Sequence, residues 1–454
     1  SSGGGGGNGE HGEGKPSPGS VDRLSSEEFP PGSPSSGMLT DDSQKNLRDC
    51  CDLAQKTISN LLVMRKEVHT TLSLEELKEL WSATFEFLQL VEKLSGRSCY
   101  GLRSTLLAQA KAFLEHKHEA QLASLVATLD SEKWAQADVS SERQAALDRL
   151  SNGQAFLPRS YPKLQTQTSS SSSSTSAATL QSSSAKRAKG TKREVGEAMV
   201  EGSRYKVVWS VLLLMEMVMS LLATAAHFPM LATDVLQRIV ELVRLFNSRA
   251  TQLVLQAGAI HSAARLTKIT AKHLALTSQC LGLVMALLPH IRAALSAQLP
   301  PKHHLLLADL DRVKQDYVDH HERILTKFVS IVSEIVESQA SQIPATDWDS
   351  RNSDGASSCS FITDTVKNIT TMHKVLSAQL PPEQVQEIFT RIYAVLNHKL
   401  PEYFAEVNPQ TPAGEQRVVD DIQYLCNSLE RLRGVSAANL NFEKHFRERF
   451  PNAR

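Results

Sequence analysis

Between Val207 and Ala226 the chain reads "VVWSVLLLMEMVMSLLATAA", its most apolar stretch, with Lys206 immediately before it. Twenty such residues in a helix span about 30 Å, the thickness of a bilayer core, so length alone permits a membrane span. Glu216 sits in the middle of the run. A carboxylate there costs roughly 2.5 to 3.5 kcal/mol on insertion, while each Leu or Val returns only about 0.3 to 0.6. The neighbouring segment tips the balance. "DVLQRIVELVRLFNSR" places Val235, Ile239, Val243 and Phe246 on one apolar stripe and its charges on the other side, and that stripe needs a protein partner. Val207 to Ala226 is the partner expected, hydrophobic nearly all round because it lies at the centre of a helical bundle. On this reading Leu213→Asp should destabilise the chain by several kcal/mol, since an unpaired carboxylate would enter the core. The opposing reading is a single-pass anchor with positive charge on its cytosolic flank. Leu274 to Ile291 is a second uncharged run, but Thr277, Ser278 and Gln279 interrupt it.

Moving outward, almost everything else is helical. "LTDDSQKNLRDCCDLAQKTISNLLVMRKEV" repeats its apolar residues at helical spacing, Ser73-Leu-Glu-Glu offers a capping box, and "GLRSTLLAQAKAFLEHKHEAQLASLVATLDSEKW" reads as a third long helix. Strand signals are nearly absent, with no sustained period-two alternation and no Asn-Gly turn. "SAQLPP" occurs twice, at Ser296–Pro301 and Ser377–Pro382. In each the first proline expels the preceding leucine from the α region and the second is tolerated in the first turn of the next helix, so each predicts a corner between helices. After the first corner, Leu306, Leu310, Val313, Tyr317, His320, Ile324, Phe328, Ile331 and Ile335 form a seam spaced by threes and fours. A helix from Lys302 to Glu337 would run roughly 50 Å, which implies an elongated bundle.

The fold class expected is therefore all-α, in elongated stacked helical bundles. On this reading residues 1–39 are expected to form a disordered tail, 40–157 a first helical module, 158–193 a disordered serine-rich insert, 194–435 a helical rod and 436–454 a C-terminal tail. Ser1 to Gly37 alone holds eleven of the 22 glycines, too little apolar surface to offset its chain entropy. No signal peptide opens the chain, and the lack of an initial methionine suggests the C-terminal part of something longer.

Charge gives no general attraction to nucleic acid or lipid: 49 basic residues balance 49 acidic ones. One local cluster stands out, Lys186, Arg187, Lys189, Lys192 and Arg193. It suits contact with an anionic membrane face or a nuclear import signal, although a solvated linker has the same composition, and without interleaved aromatics it is no stacking surface for nucleic acid. The six cysteines lack C-x-x-C or metal-ligand spacing and read as free thiols of a reducing compartment. In "HKHE" (His116–Glu119) and "DHHE" (Asp319–Glu322), adjacent positions point to different faces, so neither tetrad converges on a metal. Asp316 and His320 share a face and could form half a site, but no H-E-x-x-H motif or third ligand at helical spacing accompanies them, and a satisfied seam histidine is the reading preferred. No nucleophile elbow or phosphate loop is present. No metal or cofactor is expected, and a non-enzyme is; the sequon at Asn368 would matter only in a secreted protein.

The segment "FNSRATQLVLQAGAIHSAARLTKITAKHLALTSQCLGLVMALLPHIRAALSAQLPPKHHLLLADLDRVKQDYVDHHERI" is more than generically helical. With "TLDSEKWAQADV" (Thr128–Val139) and "ITTMHKVLSAQLPPEQVQEIFTRI" (Ile369–Ile392) it resembles the C-terminal region of the vacuolar protein sorting-associated protein fifty-four family, subunits of the Golgi-associated retrograde protein (GARP) tethering complex. The resemblance runs from about Asn46 to Arg433, excluding the serine-rich insert and the loop around Asp347. It implies a peripheral, non-catalytic tether on the cytosolic face of the trans-Golgi network, working with three other subunits, SNARE proteins and endosome-derived vesicle membrane. The family's N-terminal half, which carries the coiled-coil entry into the complex and most of the SNARE contact, has no counterpart in these residues, so neither activity is assigned to a position here. A related endosomal recycling tether is the close rival.

Overall fold

The computed structural model describes residues 41–154, 196–344, 346–349, 358–451 and 453. The first described helices are α1 (Asp41–Met64), α2 (Lys66–Thr70), α3 (Leu74–Ser95) and α4 (Tyr100–Ser131). α3 starts at the expected capping box: the Glu76 N–H donates to Ser73 Oγ and the Ser73 N–H donates to Glu76 Oε2. It stops at Gly96, whose φ of 66° lies where a side chain would be strained. α4 has 32 residues, roughly 48 Å of helix. α5 (Ser141–Ser151) follows, capped by Ser140.

A small departure from the all-helical expectation comes next. β1 (Ala198–Val200) and β2 (Ser203–Tyr205) form an antiparallel hairpin. Its turn residues Glu201 and Gly202 both have positive φ, 49° and 81°. That is the twist a two-residue hairpin requires, reached with Glu-Gly in place of the Asn-Gly that flags such turns in sequence.

α6 (Trp209–His227) is the apolar helix, and it is paired lengthwise with α7 (Ala232–Ala250). Val211, Leu214, Val218, Leu221, Leu222 and Ala225 have no exposed surface, nor do Val235, Ile239, Val243 and Phe246 of the facing stripe. Glu216 escapes burial by pointing outward, where Arg143 Nε donates to it and the same guanidinium lies 4.4 Å over the Trp209 ring. Lys206 donates to the Ala378 carbonyl. Leu213 is only half-buried, so the core-facing position is its neighbour Leu214. By length and composition α6 and a second helix, α8 (Ala271–Gln298), could each cross a membrane, yet in this fold most of each apolar window is packed inside the protein.

Both "SAQLPP" segments are corners. The second joins α10 (Ser360–Ser377) directly to α11 (Pro382–Tyr403). The first leads into a 3-10 turn, Pro301–Leu307, before α9 (Ala308–Ala340) begins. That turn moves the seam by one residue: Leu307 is buried, whereas Leu306 is exposed. Leu310 through Phe328 then bury as expected, but beyond Phe328 the stripe passes to Val332, Val336 and Ala340, leaving Ile331 and Ile335 half-buried. An α-helix gains 3.6 residues per turn, so a strict 3.5-residue seam drifts off the contact line over several heptads. α9 also changes partners along its length, from α7 and α8 to α10 and α11.

The stretch 436–454 contributes α13 (Phe442–Arg449), which packs on α11 and α12 (Pro412–Glu430). Phe442, Phe446 and Phe450 are buried there. One apolar core runs from Leu77 to Phe450 and draws on both the 40–157 and the 194–435 segments. A smaller one gathers Cys51, Leu62, Leu88, Val91, Cys99 and Leu102. α4 supplies residues to both.

Candidate functional site

Two places concentrate polar groups inside this apolar frame. The first is the join between α4 and α6, formed by "TLDSEKWAQADV". Asp130 pairs with Arg249, and its carbonyl accepts the Ala264 N–H at 2.9 Å. The buried Glu132 carboxylate accepts the Trp134 N–H at 3.2 Å through Oε1 and the Ser210 N–H at 3.0 Å through Oε2. An anion therefore sits on the otherwise uncapped N-terminus of α6, where the helix dipole favours it. Trp134 turns the chain with a φ of 52° and buries its ring almost completely. Two further bonds, Ala137 N–H to Val207 O and Val139 N–H to Gly196 O, stitch the following residues to the strand side of α6. These contacts make the motif a structural weld.

The second place is a groove of about 410 Å³ between α7 and α9, lined by Arg244, Asn247, Ser248, Thr251, Asp316, Asp319, His320 and Arg323 among others. Tyr317 anchors the pair of helices, its hydroxyl donating to Val243 O at 2.8 Å. The Asn247 amide is oriented by donating to Asp316 O at 3.1 Å, which turns Oδ1 toward His320 Nδ1, 2.7 Å away. Thr251 Oγ1 lies 3.2 Å from the same nitrogen while its own proton goes to Asn247 O. Both neighbours of Nδ1 are thus acceptors, so Nδ1 carries the proton and Nε2 presents a lone pair. Among the described residues nothing donates to that buried Nε2. Immediately beyond, α7 opens into a π-turn, Thr251–Leu255, a local widening that recurs at functional sites.

Asp316 and His320, expected to share a face, do line this groove together. The tetrads splay as the helical period requires. His116 and Glu119 are exposed, while His118 is buried against Glu241 at 2.6 Å. His321 meets Ser278 at 2.9 Å, and Glu322 pairs with Arg391. No group of three or more metal-ligating side chains comes together among the described residues. The six cysteines are free; burial pushes the thiols of Cys280, Cys359 and Cys426 up to about 12, which holds them protonated. The basic cluster Lys186, Arg187, Lys189, Lys192 and Arg193 lies outside the described residues. Asn247 and Thr251 escaped the sequence reading. Their signal was available: with Arg244 they make a polar stripe of threes and fours on a helix whose opposite face is wholly apolar.

His320 also makes a stability prediction. Burial, reinforced by Arg323 and His321, pushes its imidazole down to about 4. A histidine depressed below its unfolded value resists protonation when folded, so its contribution is complete above pH ~6.5 and drains as pH falls toward about 4. Burial lowers His273 and His321 as well, in the same direction. Asp421, raised by its own burial, works oppositely, favouring the fold as it takes up a proton. Urea midpoints measured between about pH 7 and pH 4.5 should fall, and His320→Gln should remove a part worth up to about 3 kcal/mol. Identical pH slopes for the two proteins would refute the assignment.

A family model described as "Vps54-like protein" matches residues 202–334, a span that contains the whole groove. Over 440 residues, 95% of this chain, the sequence is 30% identical to vacuolar protein sorting-associated protein 54 of Homo sapiens, of which the match covers 41%. The Mus musculus protein of that name is 31% identical over 78% of this chain and 33% of its own length. The Arabidopsis thaliana protein named vacuolar protein sorting-associated protein 54, chloroplastic, is 26% identical over 88% of this chain and 44% of its own. The chain spans less than half the length of these relatives.

Proposed function

From the premise that the chain belongs to the Vps54 family, we propose that it acts as a non-catalytic subunit of a GARP-type vesicle tether. In that role it docks endosome-derived carriers at the trans-Golgi network for retrograde transport and promotes SNARE-dependent fusion. The observation that carries this reading is the 30% identity to the human vacuolar protein sorting-associated protein 54 across 95% of the chain. The fold supports it: long helices such as α4 and α9, of 32 and 33 residues, hold extended surfaces suited to partner subunits rather than a catalytic cleft. Membrane association is peripheral on this reading, because α6 spends its apolar faces on α7, α8 and α4.

The test uses the full chain, tagged and expressed in cells. Alkaline carbonate should release it from membranes, and the released chain should float with added endosome-derived vesicles in a density gradient. Retention in the carbonate pellet, with aggregation excluded by a detergent control, would defeat the peripheral reading. Failure to float with endosome-derived vesicles would defeat the docking role. Should the chain collect with recycling endosomes instead of the trans-Golgi network, the related recycling tether becomes its assembly.

A further inference from the structure

We infer that the groove between α1 and α3, on the side away from α4, takes up one amphipathic helix of a partner protein, with lysine or arginine along the edge that meets α3. Ser59 of α1 bonds Thr105 of α4 at 2.7 Å. Arg103 of α4 donates to Glu92 of α3 at 3.0 Å and lies 5.8 Å over the Phe85 ring. These residues mark the sides of α1 and α3 that face α4, and positions two residues away stand about 200° round each helix. That far side carries Thr57, Leu61 and Met64 on α1, and Ala83, Phe87, Leu90 and Leu94 on α3. Ile58 and Phe87 pack on the same small core, so the two stripes adjoin. Their spacings are all threes and fours, the seam of a helix that receives another lengthwise. The seam lies open to water: Leu61, Met64, Leu90 and Leu94 are 49%, 83%, 54% and 48% exposed. A helix that covers them removes apolar surface from solvent on both sides.

Charge restricts the occupant. Both stripes are uncharged, but the α3 edge carries Glu79 and Glu86, one heptad apart and exposed, and neither meets a cation among the described residues. Glu76 on the same edge is committed to Ser73. Lys56 and Lys93 lie about 100° or more round from the stripe centres and face elsewhere. The complement is a helix with one cation per heptad on its α3 edge and neutral residues on the other. A second copy of this seam brings glutamates in place of cations, and an anionic lipid surface is repelled by the same rim. Nor do the remaining segments of these 454 residues supply such a helix. Within residues 1–40 only Val21, Leu24, Phe29, Met38 and Leu39 are large and apolar, without helical spacing, and Pro158 and Pro162 interrupt the apolar group that opens residues 155–195. The inference does not rest on the tethering reading, since it follows from the groove's shape and charge whatever assembly the chain joins.

The test titrates the full chain into a fluorescent peptide of three Leu-Ala-Gln-Leu-Gln-Ala-Lys repeats, with a second peptide carrying glutamate for each lysine. Fluorescence anisotropy should show saturable binding of the lysine peptide and at least about tenfold weaker binding of the glutamate peptide. The double variant E79K/E86K should invert that preference. Bound lysine peptide should also slow alkylation of Cys50, an exposed cysteine one heptad before Thr57 on the same seam. Leu61→Asp with Leu90→Asp should abolish binding while leaving the circular dichroism melt in place, because both positions are about half exposed. No saturable binding of the lysine peptide, equal affinity for the two peptides, an unaltered preference in E79K/E86K, or undiminished Cys50 alkylation in the bound chain would each overturn the proposal. A dimer of the full chain in sedimentation that Leu61→Asp splits would overturn it in favour of a second copy. Flotation with phosphatidylserine vesicles that the same substitution abolishes would overturn it in favour of lipid.

Discussion

Leu214→Asp in α6 is expected to unfold the protein at a far lower urea concentration than wild type, with a loss above about 4 kcal/mol. Leu214 has no exposed surface and sits on the α6 face that meets the main core. A carboxylate there has neither water nor a cation, in contrast to Glu216, which lies two residues along and reaches Arg143 at the surface. The same substitution one residue earlier provides the internal comparison. Leu213→Asp falls at a half-buried position, from which the new carboxylate can turn outward, and should cost only about 1 to 2 kcal/mol. Circular dichroism during urea denaturation of both variants of the full chain decides the matter. If Leu214→Asp unfolded at the wild-type midpoint, α6 would have to present that face to something other than this core.

The second large effect is expected at the weld. Trp134→Ala should lower stability by about 3 to 5 kcal/mol, the range for deleting a buried aromatic ring. Trp134 belongs to the main core and is 1% exposed. The surroundings have little freedom to close the gap, because Glu132 grips the Trp134 N–H on one side and the Ser210 N–H on the other. Trp134→Phe keeps a ring in place and should recover more than half of the loss. A midpoint for Trp134→Ala within experimental error of wild type would show that the ring holds nothing together.

The features legible in sequence are those with local causes. The Ser73–Glu76 box, the two proline corners and the Val235–Phe246 stripe each depend on residues within a few turns of one another, and each stands where its pattern puts it. The slip from Leu306 to Leu307 has a local origin too, but 3-10 winding after Pro301 is not distinguished from α winding by apolar spacing. The hairpin escaped because Glu201 adopts a positive φ without the residue that usually announces it. The groove is different in kind. Asn247 and His320 meet across 73 residues of sequence, and only the parallel pairing of α7 with α9 gives the half-site at Asp316 and His320 its second wall. Nor could Glu132 be recognised as a cap, since the helix it caps begins 77 residues later, at Trp209.

The sharing of α4 between the two apolar cores has a mechanical meaning. A flexible connection would let one body swivel on the other and would lose tension in slack. Here a single rod of 32 residues is clamped near its start by Leu102 in the smaller core and near its end by Leu125 and Leu129 in the larger. Its peptide hydrogen bonds run along the rod, so a pull on the first helices is carried axially. The lateral clamps resist rotation. Force entering at α1 therefore arrives at the weld with its direction kept, as through a splint.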